Sequence, residues 1–138
     1  MVGMISLCDA NPQDRAVEIG HVHVFPGYRG VGVATVATRL LLGYLFSAPD
    51  EGGLGLYRVE WHASTRNLPS IAVAEKLGFE KIGVVRYERV FKDGVRKGKI
   101  GNGEEVELPL GSSPGDLYRD LVMFAMYWDT WQRSSSSS

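Results

Sequence analysis

Glu18-Ile19-Gly20-His21-Val22-His23-Val24-Phe25, then Pro26-Gly27-Tyr28-Arg29-Gly30-Val31-Gly32, then Val33-Ala34-Thr35, is the stretch on which the fold turns. The first eight residues belong to a run from Ala16 to Phe25, rich in Val and Ile, that reads as a strand. Pro26 ends it, and the glycines at 27, 30 and 32 make a dense turn. From Val33 to Phe46 the apolar residues Val33, Val36, Ala37, Leu40, Leu41, Tyr44 and Leu45 recur at the three-four spacing of a helix. Strand, glycine turn and helix start together make an anion site: glycines let the backbone approach a ligand, the first-turn amides have no intrahelical partner, and the helix dipole favours negative charge. Arg29 adds a cation. The same residues also read as nothing more than a tight turn. The loop has no Gly-Lys-Ser/Thr, so it is not a P-loop, and Thr35 stands where a dinucleotide fingerprint has its last glycine.

Working outward, Met1 to Leu7 reads as a strand, turn residues fill Asp9 to Asp14, and a hairpin with the Ala16–Phe25 strand follows. Tyr57 to Ala63 reads as a third strand. Asn67 to Leu77 reads as a second helix, with Pro69 in its first turn and Gly78 past its end. Ile82 to Phe91 and Leu121 to Trp128 are further strands. Residues Lys92 to Gly115, glycine-dense and holding Pro109 and Pro114, read as a flexible insertion, and Ser134 to Ser138 as a disordered tail. The order β-β-α-β-α-β-(insertion)-β is a mixed α/β layout with one domain over residues 1–133.

Composition narrows the class. The 138 residues suit one domain, 44% apolar and 22% charged content is ordinary, and a formal charge of -1 argues against a bulk nucleic-acid binder. The single Cys8 excludes a disulfide framework and suits a reducing, cytoplasmic setting. The apolar run from Val31 to Phe46 is too short and too polar to span a bilayer, and the N-terminus lacks a secretory pattern. His21 and His23 form a His-x-His pair without a third ligand in sequence, so no metal site is read.

Arg29-Gly30-Val31-Gly32-Val33-Ala34-Thr35 resembles the acetyl-CoA pyrophosphate loop of the GCN5-related N-acetyltransferases (the GNAT superfamily). Asn67-Leu68-Pro69-Ser70 followed by Glu75-Lys76-Leu77-Gly78-Phe79 is similar to that superfamily's N-x-x-S and E-K-L-G-F block. Ile19-Gly20-His21-Val22, Glu60-Trp61 and Arg119-Asp120 resemble the branch around the ribosomal-protein N-terminal acetylases. The resemblance implies a GNAT-like acyl-CoA N-acyltransferase fold that transfers acetyl from acetyl-CoA to an amine acceptor, either a protein N-terminus or a small molecule. It implies that Arg29, Gly30, Val31, Gly32, Val33 and Ala34 offer amides to the pyrophosphate. The Glu18–Phe25 strand would splay from the third strand so that Val24 and Phe25 pair with pantetheine. Asn67 would bond pantetheine or its own loop, although a helix N-cap is an equal reading.

For proton transfer, the resemblance points to Ser70 as donor to the departing thiolate, because Ala74 stands where many relatives have Tyr. Ser70 also reads as a first-turn capping residue. The base is open among Glu18 and His21, then Glu60 and His62. Glu88 is adjacent to the family's later Glu position, which Arg89 fills here. Strand alternation puts His21 and His23 on one face, and a bulge would reset that parity. Trp61, Phe79, Trp128 and Trp131 read as core or groove walls. Met1 opens on the hairpin, where the family pattern first has a strand, two helices and another strand. The expectation is therefore an N-terminally truncated form, whether a truncated gene model, a natural short variant or a relative that completes its sheet another way, with CoA contacts nearly all present, acceptor contacts largely absent, activity impaired and self-association through an exposed sheet edge. Gly27, where the family has Gln or Arg, keeps a second reading open: a catalytically weak or inactive acyl-CoA-binding module.

Overall fold

The computed structural model describes residues 1–94, 111–113 and 115–136. A five-stranded sheet holds β1 (Gly3–Asn11), β2 (Ala16–Val24), β3 (Arg58–Ser64), β4 (Glu80–Phe91) and β5 (Leu117–Tyr127), in the order β1-β2-β3-β5-β4. Helices α1 (Val33–Phe46) and α2 (Leu68–Leu77) follow β2 and β3, and α3 (Trp128–Ser136) follows β5. β2 and β3 are parallel, as a strand-helix-strand crossover requires, and the other pairings are antiparallel. No helix among the described residues is long and apolar enough to cross a membrane.

The hairpin and both crossover helices stand where the sequence places them. β1 runs on to Asn11 rather than stopping at Leu7, and β5 begins at Leu117 rather than Leu121. The chain after Tyr127 turns helical, so Trp128 starts α3 instead of ending a strand. That helix takes in Ser134 to Ser136, three residues read as tail; Ser134 and Ser135 hydroxyls donate to the Trp131 and Gln132 carbonyls. Most of the expected insertion lies outside the described residues, with Lys92–Gly94 forming a 3-10 turn at its start.

One face of the sheet carries the core. Val17, Ile19, Val59, Trp61, Val122, Phe124 and Met126 are buried there with Leu42 and Leu45 of α1 and Ala74 of α2. Register explains the set, since Ile19 pairs with Trp61 and Trp61 with Phe124 across the strands. α1 forms as expected but is rotated: its buried residues are Thr35, Thr38, Leu42 and Leu45, while Val36, Leu40 and Tyr44 are exposed. Of the aromatic residues read as walls, Trp61 and Phe79 are buried and tilted against each other, and Trp131 stacks on Phe46. Trp128 is half exposed. Strand alternation sends Glu18, Glu60 and His62 to the other face, which none of the described helices covers.

Candidate functional site

β2 and β3 part company midway. Their register runs from Ala16↔Arg58 to Ile19↔Trp61 and stops, although β2 continues to Val24 and β3 to Ser64. A bulge accompanies the parting. Between Met4↔His23 and Ser6↔Gly20, β2 spends one more residue than β1, and His21 takes a φ of +50°. This extra residue swings His21 from the face of Ile19 to that of Glu18. The parity reset that a bulge would bring is therefore present, and it keeps β2 tied to β1 as it leaves β3.

At the upper end of the opening the chain makes its glycine turn. Gly30 and Gly32 have φ of +82° and +83°, a region costly to residues with a Cβ. A Cβ at Gly27, Gly30 or Gly32 would meet nothing within 4 Å, so packing does not demand these glycines. Gly32 caps α1 without a side-chain hydrogen bond, and the first amide bond of the helix goes from Val36 to the Gly32 carbonyl. The amides of Val33, Ala34 and Thr35 therefore stand ahead of the ladder, with no acidic residue in the first turn. Arg29 does not reach outward. Its Nε donates to the Val24 carbonyl at 2.8 Å, lacing the turn to the end of β2.

Val24 and Phe25 are not equivalent. The Phe25 amide donates to the Val2 carbonyl at 2.9 Å and its carbonyl accepts from the Tyr28 amide at 2.8 Å. Both polar groups of Phe25 are thus used inside the protein. Alternation then turns the backbone of Val24 toward the opening.

Below the opening, on the helix side, Asn67 caps α2: its side chain accepts from the Ser70 amide at 3.4 Å. Ser70 Oγ accepts a hydrogen bond from the indole Nε1 of Trp61 at 3.0 Å. Ala74 is fully buried in the core, so this position looks into the sheet and not at the opening.

On the helix-free face, Glu18 Oε1 lies 3.3 Å from His62 Nδ1, and Glu60 Oε1 lies 3.9 Å from His62 Nε2. Burial raises the Glu18 carboxyl pKa above the ordinary value. His62 opposes the rise, while Asp9 (by charge and by a hydrogen bond) and Glu60 reinforce it. His21 is not part of this pair. It is exposed, and its Nδ1 lies 2.9 Å from Ser6 Oγ and 3.5 Å from Cys8 Sγ. Glu88 is occupied elsewhere, accepting from Arg119 Nε and Nη2 at 2.9 and 2.6 Å. Sequence reasoning missed the Trp61–Ser70 bond, since nothing in the pattern shows that a buried indole on β3 reaches a first-turn hydroxyl on α2. A cleft of about 510 Å³ beside Phe46, Tyr57 and Trp131 lies at the opposite end of the strands and is separate from this site.

The site is thus a parting parallel pair with a glycine turn and a helix start at its open end. Residues 1–80 match the acetyltransferase (GNAT) domain family, and the chain belongs to it. A probable N-acetyltransferase of Bacillus subtilis, YjcK, is 41% identical over 59 residues, covering 43% of this chain and 30% of that protein. A probable GNAT-family acetyltransferase from Chromobacterium violaceum superposes with a TM-score of 0.64 at 27% identity, covering 93% of this chain and 50% of that one. The spermidine N-acetyltransferase SpeG of Vibrio cholerae, as an F149A mutant, shares the fold with a TM-score of 0.70 at 19% identity, covering 97% of this chain and 62% of that one. The chain thus spans under a third of that Bacillus protein and about half of the Chromobacterium structure.

Proposed function

We propose that the chain transfers the acetyl group of acetyl-CoA to a primary amine by direct attack of the amine on the thioester. The parting of β2 from β3 after Ile19 and Trp61 carries this reading: beyond it the two strands no longer pair, and we read the gap as a passage with the glycine turn at one mouth and the Glu18–His62 pair at the other. On the helix side, the amides of the Arg29–Ala34 turn receive the pyrophosphate, and Val24 offers its backbone to the pantetheine arm. Arg29 must then yield the Val24 carbonyl or share it. Asn67 shapes the same mouth by capping α2.

The other mouth receives the amine. Glu18, held by His62 and raised by burial, takes the proton that an ammonium must lose before it attacks. The nitrogen–carbon bond forms, the carbon–sulfur bond breaks, and the Ser70 hydroxyl gives its proton to the departing thiolate. Positioning supplies the larger part of the rate gain. The ribosomal-acetylase branch belongs to this proposal through Ser70, and a cytoplasmic location through the reduced Cys8.

The expected result is release of CoA thiol from acetyl-CoA with at least one member of an amine panel holding spermidine and Ser- or Ala-initiated peptides, with the acetylated amine seen by mass spectrometry. Calorimetric binding of acetyl-CoA without thiol release across the panel would favour the acyl-CoA-binding module instead, a reading supported by Gly27. No binding at all would sink both. Self-association along the edge strands is also proposed: β1 exposes Met4 and Leu7, and β4 exposes Ile82, Val84 and Val90. Light scattering should show a mass that climbs with concentration, and a constant monomer mass would refute it.

A further inference from the structure

We infer that Trp61 is a positioning residue, and that its indole N–H fixes the direction in which Ser70 gives up its proton. This rests on Ser70 as the thiolate's proton donor. An indole nitrogen only donates, so in the 3.0 Å contact the Ser70 oxygen must accept. A hydroxyl has one proton. With a lone pair held by Trp61, that proton is directed away from the indole, and Ser70 Oγ donates no hydrogen bond to a partner among the described residues. The Asn67 carboxamide oxygen is engaged by the Ser70 amide.

The arrangement is rigid on the donor's side. Trp61 is 3% exposed, tilted against Phe79 with ring centroids 5.9 Å apart, and sits at the last residue of β3 that pairs with β2. A buried indole keeps its N–H bonded because an unpaired donor there is costly. The same strand position that marks the parting of the sheet thereby holds the serine at the helix-side mouth. The bond also makes the Ser70 oxygen a poorer acceptor for solvent protons and its own proton easier to give, since a donated bond to a hydroxyl oxygen polarises the O–H.

Trp61→Phe keeps a ring in the core and removes the N–H. With acetyl-CoA and the best amine of the panel, we expect kcat to fall about tenfold, the scale of one lost hydrogen bond in the transition state, with KM for acetyl-CoA changed less than twofold. Trp61→Phe in a Ser70→Ala background should then produce no further loss, because the group it positions is gone. The second readout needs no turnover. The sequence has three tryptophans, and the indole N–H resonance that vanishes in Trp61→Phe should move upfield in Ser70→Ala while the other two stay put.

A wild-type kcat in Trp61→Phe overturns the inference, as does an equal further loss in the Ser70→Ala background, which marks a packing effect. An indole resonance unmoved by Ser70→Ala overturns it without reference to catalysis. An unchanged kcat in Ser70→Ala, with chemistry rate-limiting, overturns the proton-donor reading beneath it, and the inference falls with it. A slow Ser70→Ala beside a fully active Trp61→Phe removes the inference and leaves Ser70 in place.

Discussion

Gly32→Glu should weaken acetyl-CoA binding on the order of 100-fold, about 2.7 kcal/mol. Two effects add. The residue holds a φ of +83°, where an L side chain costs roughly 1–2 kcal/mol and the turn relaxes away from its shape. The new carboxylate also stands at the mouth of α1, against the anion that the amides of Val33, Ala34 and Thr35 are proposed to receive. Since a Cβ there meets no neighbour within 4 Å, overpacking does not confuse the result. Gly32→Ala separates the two terms by keeping the strain and omitting the charge. Gly27→Gln is the counterpart: nothing lies within 4 Å of a Cβ there, and the glycine is not at positive φ, so the fold should tolerate the side chain. It supplies the polar side chain that the family resemblance leads one to expect there and should bind acetyl-CoA at least as tightly. Calorimetry on the four proteins decides the matter. Equal affinity for wild type and Gly32→Glu would reduce the glycine turn to a turn.

The elements that carry this site were legible because their signals are local. Pro26, the glycines at 27, 30 and 32, and the apolar run after Val33 mark strand, turn and helix without help from the rest of the chain. Asn67, Pro69 and Gly78 bracket α2 in the same way, and the cap at Asn67 forms as its residue type suggests. What depends on tertiary contact was hidden. The period of α1 is plain in the sequence, but Thr35 and Thr38 lie inward and Val36 and Leu40 outward. Apolarity alone therefore places Leu45 and Leu41 correctly but Val36, Leu40 and Tyr44 wrongly. The serine run hides the end of α3, whose anchor is Trp131 against Phe46. His21 is the plainest instance. Alternation would group it with Ile19, yet one extra residue in β2 carries it to Ser6 and Cys8. The pairing of Glu18 with His62 is likewise a matter of register, since Glu18 lies opposite Glu60 on β3 and reaches the histidine two residues on.

Glu18→Gln should lower kcat about 10²–10⁴-fold, the usual worth of a positioned general base, with a smaller change in KM for acetyl-CoA. His21→Gln should stay within about twofold of wild type, because His21 lies outside the Glu18–His62 pair and its Nδ1 is held by Ser6. The pH profile supplies the mechanistic signature. A base acts only when deprotonated, and burial together with Asp9 and Glu60 raises the Glu18 pKa, His62 offsetting part of the rise. The acid limb of kcat/KM should therefore sit higher than an ordinary glutamate would place it, and it should vanish in Glu18→Gln. Stability moves in the matching sense. A raised folded pKa favours the protonated carboxyl, so the contribution of Glu18 is fully present below its unfolded pKa and is lost as pH rises through the folded one. The Tm of Glu18→Gln should accordingly gain on that of wild type across that window, while activity falls. Arg119–Glu88 serves as the contrast, an ion pair on β4 and β5 away from the opening. Glu88→Gln should lower Tm and leave the acid limb where it stands. An acid limb that persists in Glu18→Gln, or shifts in Glu88→Gln, would take the base away from the β2–β3 opening altogether.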